Sequence, residues 1–153
     1  MLKEFILDNE AFALGVLAES WQTAVKCATD ILVSTGAAEP RYFDAIVQMT
    51  EEHGPYYVVA PGIAMPHARP ESGARKTGFA LLTLQKPVCF GHADNDPVDI
   101  ILCICAANAA DLNETAIIEA MTLFDDEAAL EKLRTVKTKD ELRTVLAACS
   151  TTW

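Results

Sequence analysis

The stretch from Val98 to Ala106, Val-Asp-Ile-Ile-Leu-Cys-Ile-Cys-Ala, limits the folds open to this chain more than any other segment does. Apart from Asp99 every position is apolar, so a strand built from it must be covered on both faces. A sheet with one face in water would alternate apolar with polar side chains instead. The run therefore predicts a central strand with helices packed on each side. It does not predict a membrane span, because the longest apolar run, Ile100 to Ala107, falls far below the ~20 residues needed to cross a bilayer.

The flanking sequence supplies those helices. Ser20 stands as an N-cap before Trp21, Ala24, Val25, Ala28, Ile31 and Leu32 at helical spacing, and Gly36 closes that helix. Glu39-Pro40 opens a second helix with proline at its first position. Phe43, Ile46, Val47 and Thr50 form its inward stripe, and Gly54-Pro55 stops it. Tyr56 to Ala60 and Thr77 to Leu84 are rich in β-branched, aromatic and aliphatic residues and read as two further strands. Beyond the central strand, Asp111 with Glu114 predicts a capping box ahead of Ile117, Ile118, Met121 and Phe124. Asp126 caps a short helix carrying Leu130 and Leu133. Thr138 with Glu141 forms another box before Leu142, Val145 and Leu146. Helices come first, strands fall in the middle, and helices return. The expected fold is α/β, a single-domain sandwich of a mixed β-sheet flanked by helices over residues 1–153, without repeats or linkers.

Apolar residues at 51% and charged residues at 22% suffice for one core and argue against disorder. A net charge of −10 repels phosphate backbones and anionic headgroups, so nucleic acid and membrane surfaces are poor candidate partners and a basic patch is favoured. The N-terminus lacks a basic region followed by an apolar run, so no signal peptide is expected. Cys27, Cys89, Cys103, Cys105 and Cys149 form no C-x-x-C pair. Such an odd, scattered set reads as reduced thiols in a cytoplasmic protein.

Phosphate-binding glycine loops, H-E-x-x-H and G-x-S-x-G are all missing, so the sequence calls for neither nucleotide nor metal cofactor. Three histidines, His53, His67 and His92, remain as distinctive reactive groups. His67 follows Pro66 and lies between Pro61 and Pro70, which restricts the conformations of its segment. Arg69, two residues on, offers planar, permanently charged donors suited to phosphate oxygens. A neutral imidazole with one nitrogen free and the other oriented is a competent nucleophile near neutral pH. The residues alone leave two readings open: a held nucleophile, or a loop histidine that happens to sit among prolines.

His53 precedes Gly54 at a helix C-terminus, where a cationic side chain complements the dipole. His92 lies in a polar connection and reads as solvated. Cys103 and Cys105 point to one face of a strand, as buried thiols or, with a histidine, as zinc ligands. Asp94, Asp96 and Asp99 lack the spacing of a calcium loop and read as a solvated turn before the next strand.

Pro61-Gly-Ile-Ala-Met-Pro-His67-Ala-Arg-Pro70 strongly resembles the active-site segment of the enzyme IIA components of the bacterial phosphoenolpyruvate-dependent sugar phosphotransferase system, mannitol/fructose class. Further matching stretches are Glu39-Pro-Arg-Tyr42, Lys76-Thr-Gly-Phe79, Asn95-Asp-Pro-Val-Asp99 and Leu123-Phe-Asp-Asp-Glu127, so the resemblance runs from about Trp21 to Leu146. Gly54-Pro-Tyr56 and the Asn-Asp-Pro stretch look most like the ascorbate-specific branch. The resemblance implies a phosphotransferase working through a phosphohistidine. His67 would take a phosphoryl group from the phosphocarrier HPr and give it to a cysteine of the IIB component, with the membrane IIC component served indirectly. Two departures follow. The mannitol branch's second active-site histidine falls at Asn113, which can hydrogen-bond but not titrate. Its arginine falls at Glu51, which leaves Arg69 as the nearest positive charge. A regulatory phosphorylation module of the same fold is one alternative, and a small metal-binding or hydrolase domain using His67 with Cys103 and Cys105 is another.

Overall fold

The structure, a computed structural model, describes residues 1–149 and holds one five-stranded mixed sheet. Strands β1 (Phe12–Val16), β2 (Val58–Ala60), β3 (Ile63–Ala64), β4 (Gly78–Val88) and β5 (Val98–Cys105) lie in the order β1-β4-β5-β3-β2. The β1–β4 and β3–β5 pairs are parallel, and the β4–β5 and β2–β3 pairs antiparallel.

The apolar run of the sequence is the middle strand, and its alternate residues divide between two cores. Ile100, Leu102 and Ile104 join Phe79 and Leu81 of β4 on one face. Ile101, Cys103 and Cys105 join Ala80 and Leu82 on the other. The first face is covered by α1 (Leu2–Asp8), α4 (Ile117–Phe124), α5 (Glu127–Leu133) and α6 (Lys139–Ala148). The second is covered by α2 (Trp21–Ser34) and α3 (Arg41–His53). This is the expected α/β arrangement of a mixed sheet flanked by helices. No helix among the described residues is long and apolar enough to cross a membrane.

Most caps act as their residue types require. Ser20 accepts from the Thr23 N–H, Asp126 from Ala129 and Thr138 from Glu141. At the end of α2 the Gly36 and Ala37 N–H groups bond Val33 and Leu32 carbonyls, with Gly36 at φ 81°, a Schellman close.

Three expectations need correction, and one stretch holds elements that none of them covers. The N-terminal helix and β1 carry no strong sequence signal: β1 is a five-residue edge strand whose partner, β4, lies over sixty residues away. In α3 the buried stripe is Tyr42, Ile46 and Thr50, with Phe43 and Val47 only half-buried. The strand expected from Tyr56 begins at Val58, because Tyr56 and Tyr57 belong to the turn after Gly54. Finally, Asp111 and Glu114 form no capping box. Helix begins at 109, and Asn108 caps it by accepting from the Asp111 N–H at 2.8 Å while donating to its carboxylate at 2.9 Å. β5 ends at Cys105, so the chain bends into helix at once and the first side chain able to cap is three residues earlier than expected. Asp111–Ala116 is then π-helical before α4.

The tight β2–β3 hairpin turns at Pro61-Gly62, with Gly62 at φ 79°. A Cβ there would stand 2.9 Å from Nη2 of Arg134 and 3.1 Å from Oδ1 of Asp99, so glycine is required for space as well as conformation. Arg134 and Asp99 form an ion pair at 2.8 Å against this turn.

Candidate functional site

β3 ends at Ala64, and His67 follows at the carboxyl end of the parallel β3–β5 pair. In open α/β sheets this end is where crevices form. Backbone and tyrosine contacts hold the segment there. The Met65 N–H donates to the Tyr57 carbonyl at 2.9 Å, and the Ile104 N–H donates to the Pro66 carbonyl at 3.0 Å. The buried Tyr42 hydroxyl accepts from the Ala68 N–H at 2.9 Å and donates to the Ile104 carbonyl at 2.7 Å. Tyr56 donates its hydroxyl to the His67 carbonyl at 2.7 Å.

The imidazole is half-buried, and its Nδ1 lies 2.9 Å from the Met65 carbonyl. That acceptor requires the proton on Nδ1, so the neutral ring carries its lone pair on Nε2. Burial lowers the His67 pKa, with the Met65 bond acting in the opposite direction. Burial outweighs the bond because charging a shielded ring loses water on every side.

His67 lines a cavity of about 340 Å³ together with Met49, Tyr56, Arg69, Leu112 and Asn113. All three residues singled out from sequence, His67, Arg69 and Asn113, therefore border one space. Arg69 is exposed there. Arg41 and Arg75 pair with Glu39, Arg134 with Asp99 and Arg143 with Asp140; Arg69 alone among the arginines has no carboxylate partner among the described residues. Its charge remains available to an anion in the cavity. Asn113 reaches the cavity from the π-helical stretch, in the second turn of the helical run that starts at 109, not from its first turn. Such widened turns recur where a helix must present side chains to a site.

The other candidates sit apart from this cavity. His53 is exposed, 3.7 Å from Glu52, and lines a neighbouring cavity of about 180 Å³ that shares Met49 and Arg69 with the first. His92 is not simply solvated, since its Nδ1 accepts from the Asn95 N–H at 3.2 Å. Asp96 binds the N–H groups of Phe90, Gly91 and His92, which makes the acidic stretch a built turn. Glu51 is exposed and borders neither cavity. Cys103 and Cys105 are buried, and the Cys105 thiol, pushed up to about 12 by burial, contacts the Lys76 carbonyl at 3.4 Å. Among the described residues no group of three or more His, Cys, Asp or Glu side chains is gathered closely enough to hold a metal.

Tyr42, Tyr56 and Met49 were not singled out as site residues from sequence. A signal existed for two of them. Tyr42 and Tyr56 stand within Glu39-Pro-Arg-Tyr42 and Gly54-Pro-Tyr56, stretches that already carry the family resemblance.

The model of the type 2 EIIA domain of the phosphoenolpyruvate-dependent sugar phosphotransferase system matches residues 5–149. The chain belongs to this family, the phosphoryl-carrier components of that system. It is 48% identical over 141 residues, 92% of each chain, to an ascorbate-specific EIIA component from Shigella boydii. Among solved structures, the mannitol-specific cryptic enzyme IIA CmtB of Escherichia coli is 34% identical, with a TM-score of 0.78 over 92% of this chain and 97% of that one. The enzyme IIA of the Escherichia coli mannitol system, solved in complex with phosphorylated enzyme IIB, is 28% identical, with a TM-score of 0.78 over 90% and 94%.

Proposed function

We propose that His67 accepts a phosphoryl group on Nε2 from phospho-HPr and passes it to a cysteine of a IIB component. The observation that carries this reading is the Nδ1–Met65 hydrogen bond, which leaves Nε2 as the free nucleophile beside an unpaired arginine. In the forward step Nε2 attacks the phosphorus of the donor phosphohistidine in line. A new N–P bond forms as the donor's N–P bond breaks, and the donor imidazole leaves with its electron pair. The second step repeats this displacement with the IIB thiolate as nucleophile. The transition state is loose, so positioning and charge compensation supply most of the rate. Arg69 meets the phosphoryl oxygens as a charged donor, and the Asn113 amide hydrogen-bonds the phosphate or the ring.

The complex of the related mannitol IIA with phosphorylated IIB supports a IIB partner, and the ascorbate-specific relatives support ascorbate or a related carbohydrate as cargo. Residues 1–153 act as one IIA unit on the cytoplasmic side and serve the membrane IIC component only through IIB. Incubation with enzyme I, HPr and labelled phosphoenolpyruvate, followed by mapping of the acid-labile phosphate, tests the proposal. Wild type should carry label on His67, and His67→Gln should fold normally and carry none. Full labelling of His67→Gln would overturn it.

A further inference from the structure

We infer that Tyr56 is a positioning residue for the accepting imidazole, its hydroxyl fixing the His67 main chain while its ring walls one side of the His67 ring. The inference rests on the phosphoryl-carrier reading above, and adds to it a residue that sets the nucleophile's orientation.

After Ala64 the chain has left the sheet, and each polar backbone group near His67 needs its own partner. Those of Met65, Pro66 and Ala68 find theirs in β5, Tyr57 and Tyr42. The His67 carbonyl is taken by the Tyr56 hydroxyl at 2.7 Å. The same tyrosine meets the imidazole in a T-shaped contact, with ring centroids 5.5 Å apart and planes at 86°. With Nδ1 tied to Met65, the ring can still tilt about that bond, and the Tyr56 ring beside it opposes the tilt.

Although 41% exposed, Tyr56 is itself held. Its ring packs edge-on to Tyr57 at 5.2 Å, its N–H donates to the Gly54 carbonyl at 2.9 Å, and its hydroxyl lies 3.9 Å from the Met49 sulfur. Burial raises the phenol's pKa, so the proton it donates stays in place across the working pH range, even against the opposing field of Arg69. In-line transfer tolerates little angular error at the nucleophile, which makes such a clamp visible in rate rather than in binding.

Two variants test this against phospho-HPr. Tyr56→Phe keeps the ring and removes the clamp on the carbonyl; kcat should fall roughly three- to tenfold with KM for phospho-HPr within about twofold of wild type. Tyr56→Ala also removes the wall, so kcat should fall further. The NMR titration midpoint of the His67 ring, read on unphosphorylated protein, should then rise toward 6.5 as water reaches it. Tyr56→Phe should leave that midpoint unmoved. A Tyr56→Phe kcat within about twofold of wild type, or a His67 midpoint unchanged in Tyr56→Ala, overturns the inference. Absence of label on His67 in wild type would instead defeat the carrier reading, while the titration still decides whether Tyr56 walls the ring.

Discussion

The hydroxyl of Tyr42, on α3, donates to the carbonyl of Ile104, on β5, at 2.7 Å, and both groups are buried. The same oxygen accepts from the Ala68 N–H, so one side chain ties the His67 segment to the central strand. Tyr42→Phe would leave a buried N–H and a buried carbonyl without this partner. An orphaned buried group costs about 1–3 kcal/mol, and a chain this size loses about 2–4 °C of Tm per kcal/mol. We expect a lower Tm together with faster hydrogen exchange at the Ala68 amide. An unchanged melt with an equally protected Ala68 amide would show that the tie is dispensable.

Arg69 brings a positive charge to the cavity, which Glu71 also lines, and a charge-assisted hydrogen bond is worth ~1.5–3 kcal/mol. Arg69→Ala should therefore slow phosphoryl transfer by roughly tenfold to a hundredfold. Arg69→Lys should recover only part of the rate, because an ammonium lacks the planar fork. A single-turnover rate for Arg69→Ala equal to wild type would assign the charge compensation to another group.

Burial depresses the His67 pKa below its ordinary 6.5, and only the neutral ring is nucleophilic. The rate of phosphoryl acceptance should thus hold as pH falls through 6.5 and decline only below it. The sign for stability follows from the same shift. The unfolded chain binds its proton first as pH drops, so the contribution of His67 is complete above 6.5 and is lost as pH falls from there toward the folded value. A rate profile with its midpoint at or above 6.5 would contradict this assignment.

Asn113 faces the cavity but does not titrate, so its effect should be one of hydrogen bonding alone. Asn113→Ala should weaken transfer by roughly twofold to tenfold, the worth of one neutral hydrogen bond. Asn113→Asp should harm it more, by setting a negative charge beside the phosphate. Asn113 lies in the second helical turn, while Ala109 of the first turn also borders the cavity. Equal rates for wild type and Asn113→Asp would separate this residue from the reaction.

Local chemistry was legible from the chain alone. The near-continuous apolar run along Val98–Cys105, the Ser20, Asp126 and Thr138 caps, the Gly36 close and the proline-bounded His67 segment each depend on residues only a few positions apart. Those signals sufficed for an α/β sandwich and a conformationally restricted His67 segment, while the reading of His67 as phosphoryl acceptor came from the family resemblance. Pairings made across the chain were another matter. β1 exists because β4 offers it an edge, the helix after β5 starts at 109 under the Asn108 cap because the strand stops at Cys105, and neither cause is written within the segment itself. The same holds at the site. Two tyrosines, 11 and 26 positions from the residues whose backbone they bond, hold the loop, and a cavity gathers Arg69 and Asn113 around the ring. Spacing along a sequence reports contacts of one helical turn or one strand repeat. Contacts closed over longer loops depend on how the layers pack, and only the folded chain decides them.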